Sequence, residues 1–170
     1  EGSVVGLRTG ASLFSVTVTG ASRGGILFSS EEAPTLTDCA ITANSAVYRG
    51  GGIFCNRASA PIFVNCAITG NKAQGGDGTV SSAGGGVYCE GEAAPQFIHC
   101  VIARNEATAG GAVVGSHFYG YWGTLCGPAR PRFEGCTFSG HVRSGRSPLV
   151  FIGARPVLVN CLVAGNDCGE

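Results

Sequence analysis

The nine cysteines of this chain could support the widest range of chemistry, because a thiolate can bind a metal, attack a substrate or form a disulfide. No two of them form a Cys-x-x-Cys pair, and the three histidines fall at predicted turns rather than at the spacings typical of zinc ligands. The sequence therefore predicts no metal site and no cofactor. Because nine is an odd number, at least one thiol stays unpaired within a monomer.

Carboxylates are the second group with catalytic potential. A polysaccharide lyase or hydrolase needs them clustered, either to hold Ca²⁺ or to act as an acid and base pair. Aspartate occurs at only three widely separated positions: Asp38, Asp77 and Asp167. Five other charged residues would stack along one turn edge of the repeat described below: Glu31, Glu32, Arg57, Glu90 and Glu92. Such a row is typical of a surface ion ladder of small energy, so we assign no catalytic residue.

An aromatic segment interrupts the repeat at residues 116–130 and contains the single tryptophan. Its candidate binding residues are Phe118, Tyr119, Tyr121 and Trp122. Aromatic rings with a polar edge stack on sugar rings or on a protein partner. Such a segment can equally fold over an exposed part of the core, and the sequence leaves both interpretations open.

The composition excludes two classes of partner. Lys and Arg total 11 and are balanced by 11 Asp and Glu, so the chain lacks the basic surface that nucleic acids and anionic membranes require. No apolar run approaches the ~20 residues of a membrane-spanning helix, so no membrane insertion is expected. The 29 glycines disfavour helices, while abundant Ile, Val, Leu, Phe and Cys indicate a buried core.

The elements that must position these residues come from a repeat that occurs five times. Each copy begins with proline, has cysteine at its sixth position and ends on Asn or His, at residues 34–44, 61–71, 95–105, 131–141 and 156–166. A second block, in which two or three glycines precede an apolar triplet, alternates with it. Each repeat thus carries three short apolar segments, and residues 13–18 resemble an earlier copy with Val16 at the cysteine position.

Three short strands per 25–36 residues, without any 3.6-residue period, predict an all-β parallel solenoid of about six coils. The pattern places Ile53 and Cys55 inward on the first strand and Phe63 inward on the second. Cys66 and Ile68 point inward on the third strand. The three-residue step from Phe63 to Cys66 breaks the alternation, so a tight bend is expected at Asn65.

Stacking of the coils would place equivalent residues in columns. The bend column contains Asp38, Asn65, His99, Gly135 and Asn160, which are residue types that tolerate left-handed backbone. A second polar column should close the third strand in the same way and share amide hydrogen bonds between coils: Asn44, Asn71, Asn105, His141 and Asn166. The cysteine column, Cys39, Cys66, Cys100, Cys136 and Cys161, is expected to pack as free, buried thiols.

Cys55 and Cys89 would lie on neighbouring coils. Their α-carbons would then fall within the range of a disulfide, although in-register pairing is not its preferred geometry.

These motifs resemble the right-handed parallel β-helix of the pectate-lyase-like superfamily over residues 13–166. The Gly-Gly-Ala-Val at residues 110–113 and the Asn/His endings are similar to the passenger repeats of polymorphic outer-membrane proteins. The resemblance implies an extracellular or cell-surface protein. It is specific for fold rather than for function, because this architecture includes lyases, hydrolases, adhesins and phage spikes.

One outward row of the first strands could form a binding surface. It is expected to contain Leu27, Phe54, Tyr88, Val114 and Phe151. A continuous apolar row on a protein surface usually marks an interface or a ligand groove. A covering loop is the alternative, and Phe54 and Tyr88 are the candidate binding residues if the row is open.

We therefore expect one β-helix domain over residues 1–170, either a module of a longer chain or a subunit that stacks end to end. Its expected function is that of a non-enzymatic structural or adhesin-like module. Its expected partners are further copies, neighbouring modules or a glycan. A polysaccharide-binding or polysaccharide-degrading protein is the alternative.

Overall fold

The computed structural model describes residues 5–7, 10–29, 31, 33–74, 82–107, 111–116, 128–141 and 148–166. These residues form strands and turns without any helix. The strands of the first three coils are β1 (Val5–Gly6), β2 (Ser12–Phe14), β3 (Thr17–Thr19), β4 (Ile26–Phe28), β5 (Thr35–Thr37), β6 (Ala40–Thr42), β7 (Ser45–Ala46), β8 (Ile53–Cys55), β9 (Ile62–Val64), β10 (Ala67–Thr69) and β11 (Lys72–Ala73). Those of the last three coils are β12 (Val87–Cys89), β13 (Gln96–Ile98), β14 (Val101–Ala103), β15 (Val113–Ser116), β16 (Arg132–Glu134), β17 (Thr137–Ser139), β18 (Leu149–Ile152), β19 (Val157–Val159) and β20 (Leu162–Ala164).

Equivalent strands of successive coils pair in parallel and build three six-stranded sheets. The first sheet has the order β1-β4-β8-β12-β15-β18, the second β2-β5-β9-β13-β16-β19, and the third β3-β6-β10-β14-β17-β20. A short fourth sheet joins β7 to β11. The predicted all-β parallel solenoid of six coils with three strands each is therefore confirmed.

The inward side chains of the three sheets form one core. Ile53, Cys55, Phe63 and Ile68 are fully buried and Cys66 nearly so, as the repeat pattern predicts. The second sheet contributes a stack of phenylalanine rings, in which Phe63, Phe97 and Phe133 lie 4.7 and 4.9 Å apart and nearly parallel. Each coil is thus held to the next by apolar contact as well as by the strand hydrogen bonds.

The bend between the second and third strands has left-handed backbone in every coil. The φ angles there lie between 51° and 60°, at Ser15, Asp38, Asn65, His99, Gly135 and Asn160. The bend column is therefore confirmed. The expectation that the Asn/His column also has left-handed backbone was wrong. The left-handed residue at the end of the third strand is the one before the Asn or His, as at Ala43 (φ 54°) and Arg104 (φ 54°).

Close packing explains the glycine block that precedes the first strand. A β-carbon added to Gly52 would lie 2.7 Å from the Gly86 oxygen and 2.9 Å from Nδ2 of Asn71. Gly86 has the same surroundings one coil later, next to Asn105. Only glycine lets the backbone of these blocks approach the Asn side chains so closely.

In the last coil, the register of the first strand, β18, differs from the expectation. Val150, not Phe151, pairs with Val114, so the outward row ends on Val150. Phe151 pairs with Gly115 and packs against the core. A β-carbon on Gly115 would lie 2.9 Å from the Phe151 ring, so glycine provides the space that this ring fills.

Ser59 offers a stability test in the turn between β8 and β9. Its hydroxyl is buried and has no hydrogen-bond partner. Backbone hydrogen bonds align it with Ala93 and Ala129 of the next two coils, both of which are fully buried. Replacing Ser59 by alanine should therefore raise the free energy of unfolding, by about 1 kcal/mol in urea titrations. A loss of stability would show that the hydroxyl has a partner in solution.

Candidate functional site

The Asn column forms a continuous hydrogen-bonded ladder inside the solenoid. Nδ2 of Asn44 donates to Oδ1 of Asn71 (3.0 Å), and Nδ2 of Asn71 donates to Oδ1 of Asn105 (3.0 Å). The same Oδ1 atoms accept the backbone N–H of Asn44 and Asn71. All three residues are at most 1% exposed, so this ladder satisfies polar groups that would otherwise be costly to bury.

His141 and Asn166 extend the ladder into the last two coils. The backbone N–H of Asn105 donates to Nδ1 of His141 (3.2 Å), so the ring carries its proton on Nε2 and donates to the Ile102 oxygen (2.9 Å). The His141 N–H donates to Oδ1 of Asn166 (3.1 Å). Burial lowers the pKa of His141, and the carbonyl oxygens of Ile102 and Asn105, which would accept hydrogen bonds from the protonated ring, oppose this only in part.

This environment predicts acid sensitivity. An unfolded histidine has a pKa of about 6.5, so below that pH the unfolded chain takes up a proton that buried His141 resists. The stabilisation is complete above about pH 6.5 and is lost as the pH falls toward the lower pKa of the folded state. Urea titrations at pH 7.5 and 5.0 should show a smaller loss of stability for His141→Asn than for the wild type. Equal losses would contradict this assignment, since the other histidines are common to both.

The cysteine column lies at the start of the third strand. Cys39, Cys66, Cys100 and Cys136 are at most 2% exposed, whereas Cys161 is half-buried. All five are free thiols, and so are Cys55 and Cys89, which pair in register on β8 and β12. Among the described residues, no three His, Cys, Asp or Glu side chains gather as a metal-binding cluster.

A groove on the outside of the first sheet combines aromatic, polar and charged side chains. It has a volume of about 730 Å³ and is bounded by the loop between β7 and β8, which we call the strap (residues 47–49). Its lining includes Arg23, Val47, Tyr48, Phe54, Asn56 and Glu90. Tyr48 is 49% exposed, while Phe54 is half-buried on the sheet below it.

Arg49 of the strap organises the floor of the groove. Its Nη1 lies 2.9 Å from Oε2 of Glu90, and its guanidinium carbon lies 5.1 Å from the centre of the Tyr88 ring. Tyr88 in turn meets Phe54 edge to face at 5.5 Å. Burial raises the pKa of Glu90 and the neighbouring Arg49 partly offsets this, so the carboxylate depends on its ion pair.

Of the six predicted binding residues, one lines the groove, one is buried and four lie outside the described residues. Phe54 lines the groove, whereas Tyr88 is only 4% exposed and lies beneath Arg49, so Tyr88 is not available as a contact surface. The predicted open row is thus partly covered by the strap. The aromatic candidates Phe118, Tyr119, Tyr121 and Trp122 lie outside the described residues.

The expected ion ladder at the turn edge also takes another form. Glu90 pairs with Arg49 of the strap, and Arg57 lies against the backbone of Gly91 one coil later. Glu32 is outside the described residues, and Glu92 is exposed. Sequence reasoning missed Tyr48 and Arg49, for which the only signal is a longer segment before the glycine block than in the preceding coil.

Three parallel sheets, six stacked coils and an internal Asn ladder define the chain as a parallel β-helix protein. The family described as right-handed beta helix region matches residues 2–169, and the chain belongs to this family. No curated protein and no solved structure matches it significantly. None of the described residues belongs to a helix that could span a membrane.

Proposed function

We propose that this β-helix is a non-enzymatic, adhesin-like module of the cell surface or extracellular space that binds a glycan in the groove beside the strap. The observation that carries this proposal is the combination of exposed aromatic surface and hydrogen-bonding side chains in one concave site. The resemblance to passenger repeats of polymorphic outer-membrane proteins supports the cell-surface location.

The groove chemistry suits a saccharide. Tyr48 and Phe54 present aromatic surface for the apolar face of a sugar ring, while Asn56 and Arg23 carry hydrogen-bond donors for its hydroxyl groups. Its volume lies within the range typical of small-ligand sites. Because Glu90 and Arg49 neutralise one another, the floor presents a fixed pattern of donors and acceptors.

The described lining residues include a single carboxylate, Glu90, which is paired with Arg49, and this favours glycan binding over glycan cleavage. Glycoside hydrolysis needs two carboxyl groups on opposite sides of the scissile bond. Among the described lining residues, Glu90 is the one carboxylate, and it is held by Arg49. The groove therefore supports recognition of a glycan, while polysaccharide degradation remains the alternative that product analysis tests.

A glycan array followed by titration of any ligand found tests this proposal. Tyr48→Ala should weaken binding by about tenfold, the loss expected for one aromatic stacking contact. Phe14→Ala is the matched control, because Phe14 is an aromatic residue that is 65% exposed on the second sheet. Equal affinity of Tyr48→Ala and the wild type would exclude the groove, and a product released from the glycan would make the protein an enzyme.

The aromatic segment is tested in the same assay. A Trp122→Ala variant that keeps full affinity would show that the segment at residues 116–130 does not take part in the binding site.

A second candidate function, stacking on another copy or on a neighbouring module, is favoured by the last coil that the structure describes. Leu158 and Val163 occupy inward positions but are 40% and 47% exposed, whereas Phe133 and Phe138 one coil earlier are fully buried. Open edges of parallel strands and exposed inward side chains suit the stacking of a further coil. Light scattering over a concentration series should show oligomers that Val163→Asp abolishes, and a wild type that stays monomeric would refute assembly.

A further inference from the structure

The five thiols of the cysteine column make the same two polar contacts in the five coils that contain them. Each Sγ donates to the carbonyl oxygen two residues before it, at 3.3–3.5 Å. Each also lies 3.4–3.7 Å from a carbonyl oxygen of the preceding coil. Equal contacts imply equal side-chain rotamers, so the sulfur atoms follow one another at the spacing of the coils.

The spacing of the sulfur atoms matches the length of a linear sulfur–metal–sulfur unit. Neighbouring parallel strands lie about 4.8 Å apart. With a metal–sulfur bond as long as that of zinc, about 2.3 Å, an ion held in a line between two sulfur atoms needs them about 4.6 Å apart. We propose that the cysteine column binds soft monovalent metal ions of the Cu(I) or Ag(I) class, each in two-coordinate linear geometry between the sulfur atoms of adjacent coils.

The donor set distinguishes this ion from harder ones. Sulfur ligands select soft ions, and a tetrahedral zinc site would require four converging ligands. The described residues provide no cluster of three or more metal-binding side chains, whereas every inner cysteine of the column has a sulfur neighbour on each side. The column therefore suits two-coordinate ions and does not suit zinc.

Charge balance is also favourable in this apolar environment. One thiol loses its proton to solvent, and the ion then lies between a thiolate and a neutral thiol, so the ion with its two ligands carries no net charge.

Titration of the reduced protein with Ag(I) under argon tests the site, with bound ions counted by native mass spectrometry. Five sulfur atoms in a row can hold two ions without sharing a ligand. The double variant Cys66→Val/Cys136→Val leaves Cys39, Cys100 and Cys161 without sulfur neighbours and should bind two fewer ions than the wild type. Valine suits this position because Val16 occupies it in the first coil.

The matched control is Cys55→Val/Cys89→Val, which also removes two buried thiols but keeps the column intact. It should retain both column ions. It should lose at most one ion, the one that the sulfur atoms of Cys55 and Cys89 could hold between them. Equal losses in the two double variants that exceed one ion, or no loss in the column variant, would overturn the proposal. If the column variant does not fold, Cys66→Val alone should lose one ion and Cys100→Val none, and any other pattern overturns it.

Thermal unfolding provides an independent readout. Ag(I) should raise the melting temperature of the wild type if the ions bind the folded column more tightly than the unfolded thiols. A melting temperature that falls with added Ag(I) would place the ions on the unfolded chain and contradict the proposal.

Discussion

Replacing Phe97 by alanine is expected to lower the free energy of unfolding by about 3–5 kcal/mol. The Phe97 ring is fully buried and stacks on Phe63 at 4.7 Å on one side and on Phe133 at 4.9 Å on the other. Its removal leaves a cavity and breaks both ring contacts, each worth about 0.5–1.5 kcal/mol beyond burial. Urea titrations followed by far-ultraviolet circular dichroism measure this loss.

Gln96→Ala is the control for this variant, because Gln96 is the exposed neighbour of Phe97 on the same strand. It should change the free energy of unfolding by no more than about 0.5 kcal/mol. A Phe97→Ala protein within 1 kcal/mol of the wild type would mean that the second sheet does not face the core as described. Because each coil contacts only its neighbours, the loss should also weaken the coupling between the two halves of the solenoid.

The second large effect is expected for Asn71→Ala, which interrupts the ladder at its centre. The Asn71 side chain accepts two hydrogen bonds from Asn44 and donates to the Ile41 oxygen (2.8 Å) as well as to Asn105. Alanine leaves the backbone N–H of Asn44 buried without a partner, and Nδ2 of Asn44 keeps only its bond to the Val18 oxygen. At about 1–3 kcal/mol for each of these two donor hydrogens, the variant should lose at least about 2 kcal/mol.

Lys72→Ala serves as the neighbouring control. Lys72 forms a surface ion pair with Glu106 at 3.1 Å, in which both side chains are about two-fifths exposed. Such a pair contributes about 1 kcal/mol at most. If Asn71→Ala proved no more destabilising than Lys72→Ala, water would have to enter the ladder and replace the lost partners.

Much of the fold follows from the repeat itself. The step between Phe63 and Cys66 predicts the left-handed bend at Asn65, because strict alternation cannot place both side chains inward. The prediction that the Asn column is left-handed failed for a physical reason. Asn44 must turn its amide into the core to reach Asn71, so the preceding Ala43 takes the left-handed conformation instead.

The register of the last coil shows the limit of pattern matching. The block before Leu149 lacks the paired glycines that mark the first strand in the earlier coils. With that marker missing, alignment by apolar residues placed Phe151 one position away from its true partner. A shift of one residue moves a side chain to the other face of a strand, which is why Phe151 lies inward.

The sequence by itself determined the coil period, the three sheets and the residues that face the core, because each coil repeats the same local pattern and stacks on its own copy. Tertiary structure alone decided the groove. Arg49 and Glu90 are 41 residues apart, and their ion pair depends on how a non-repeating strap lies across the first sheet. This ion pair does not recur with the repeat, so no spacing in the sequence predicts it.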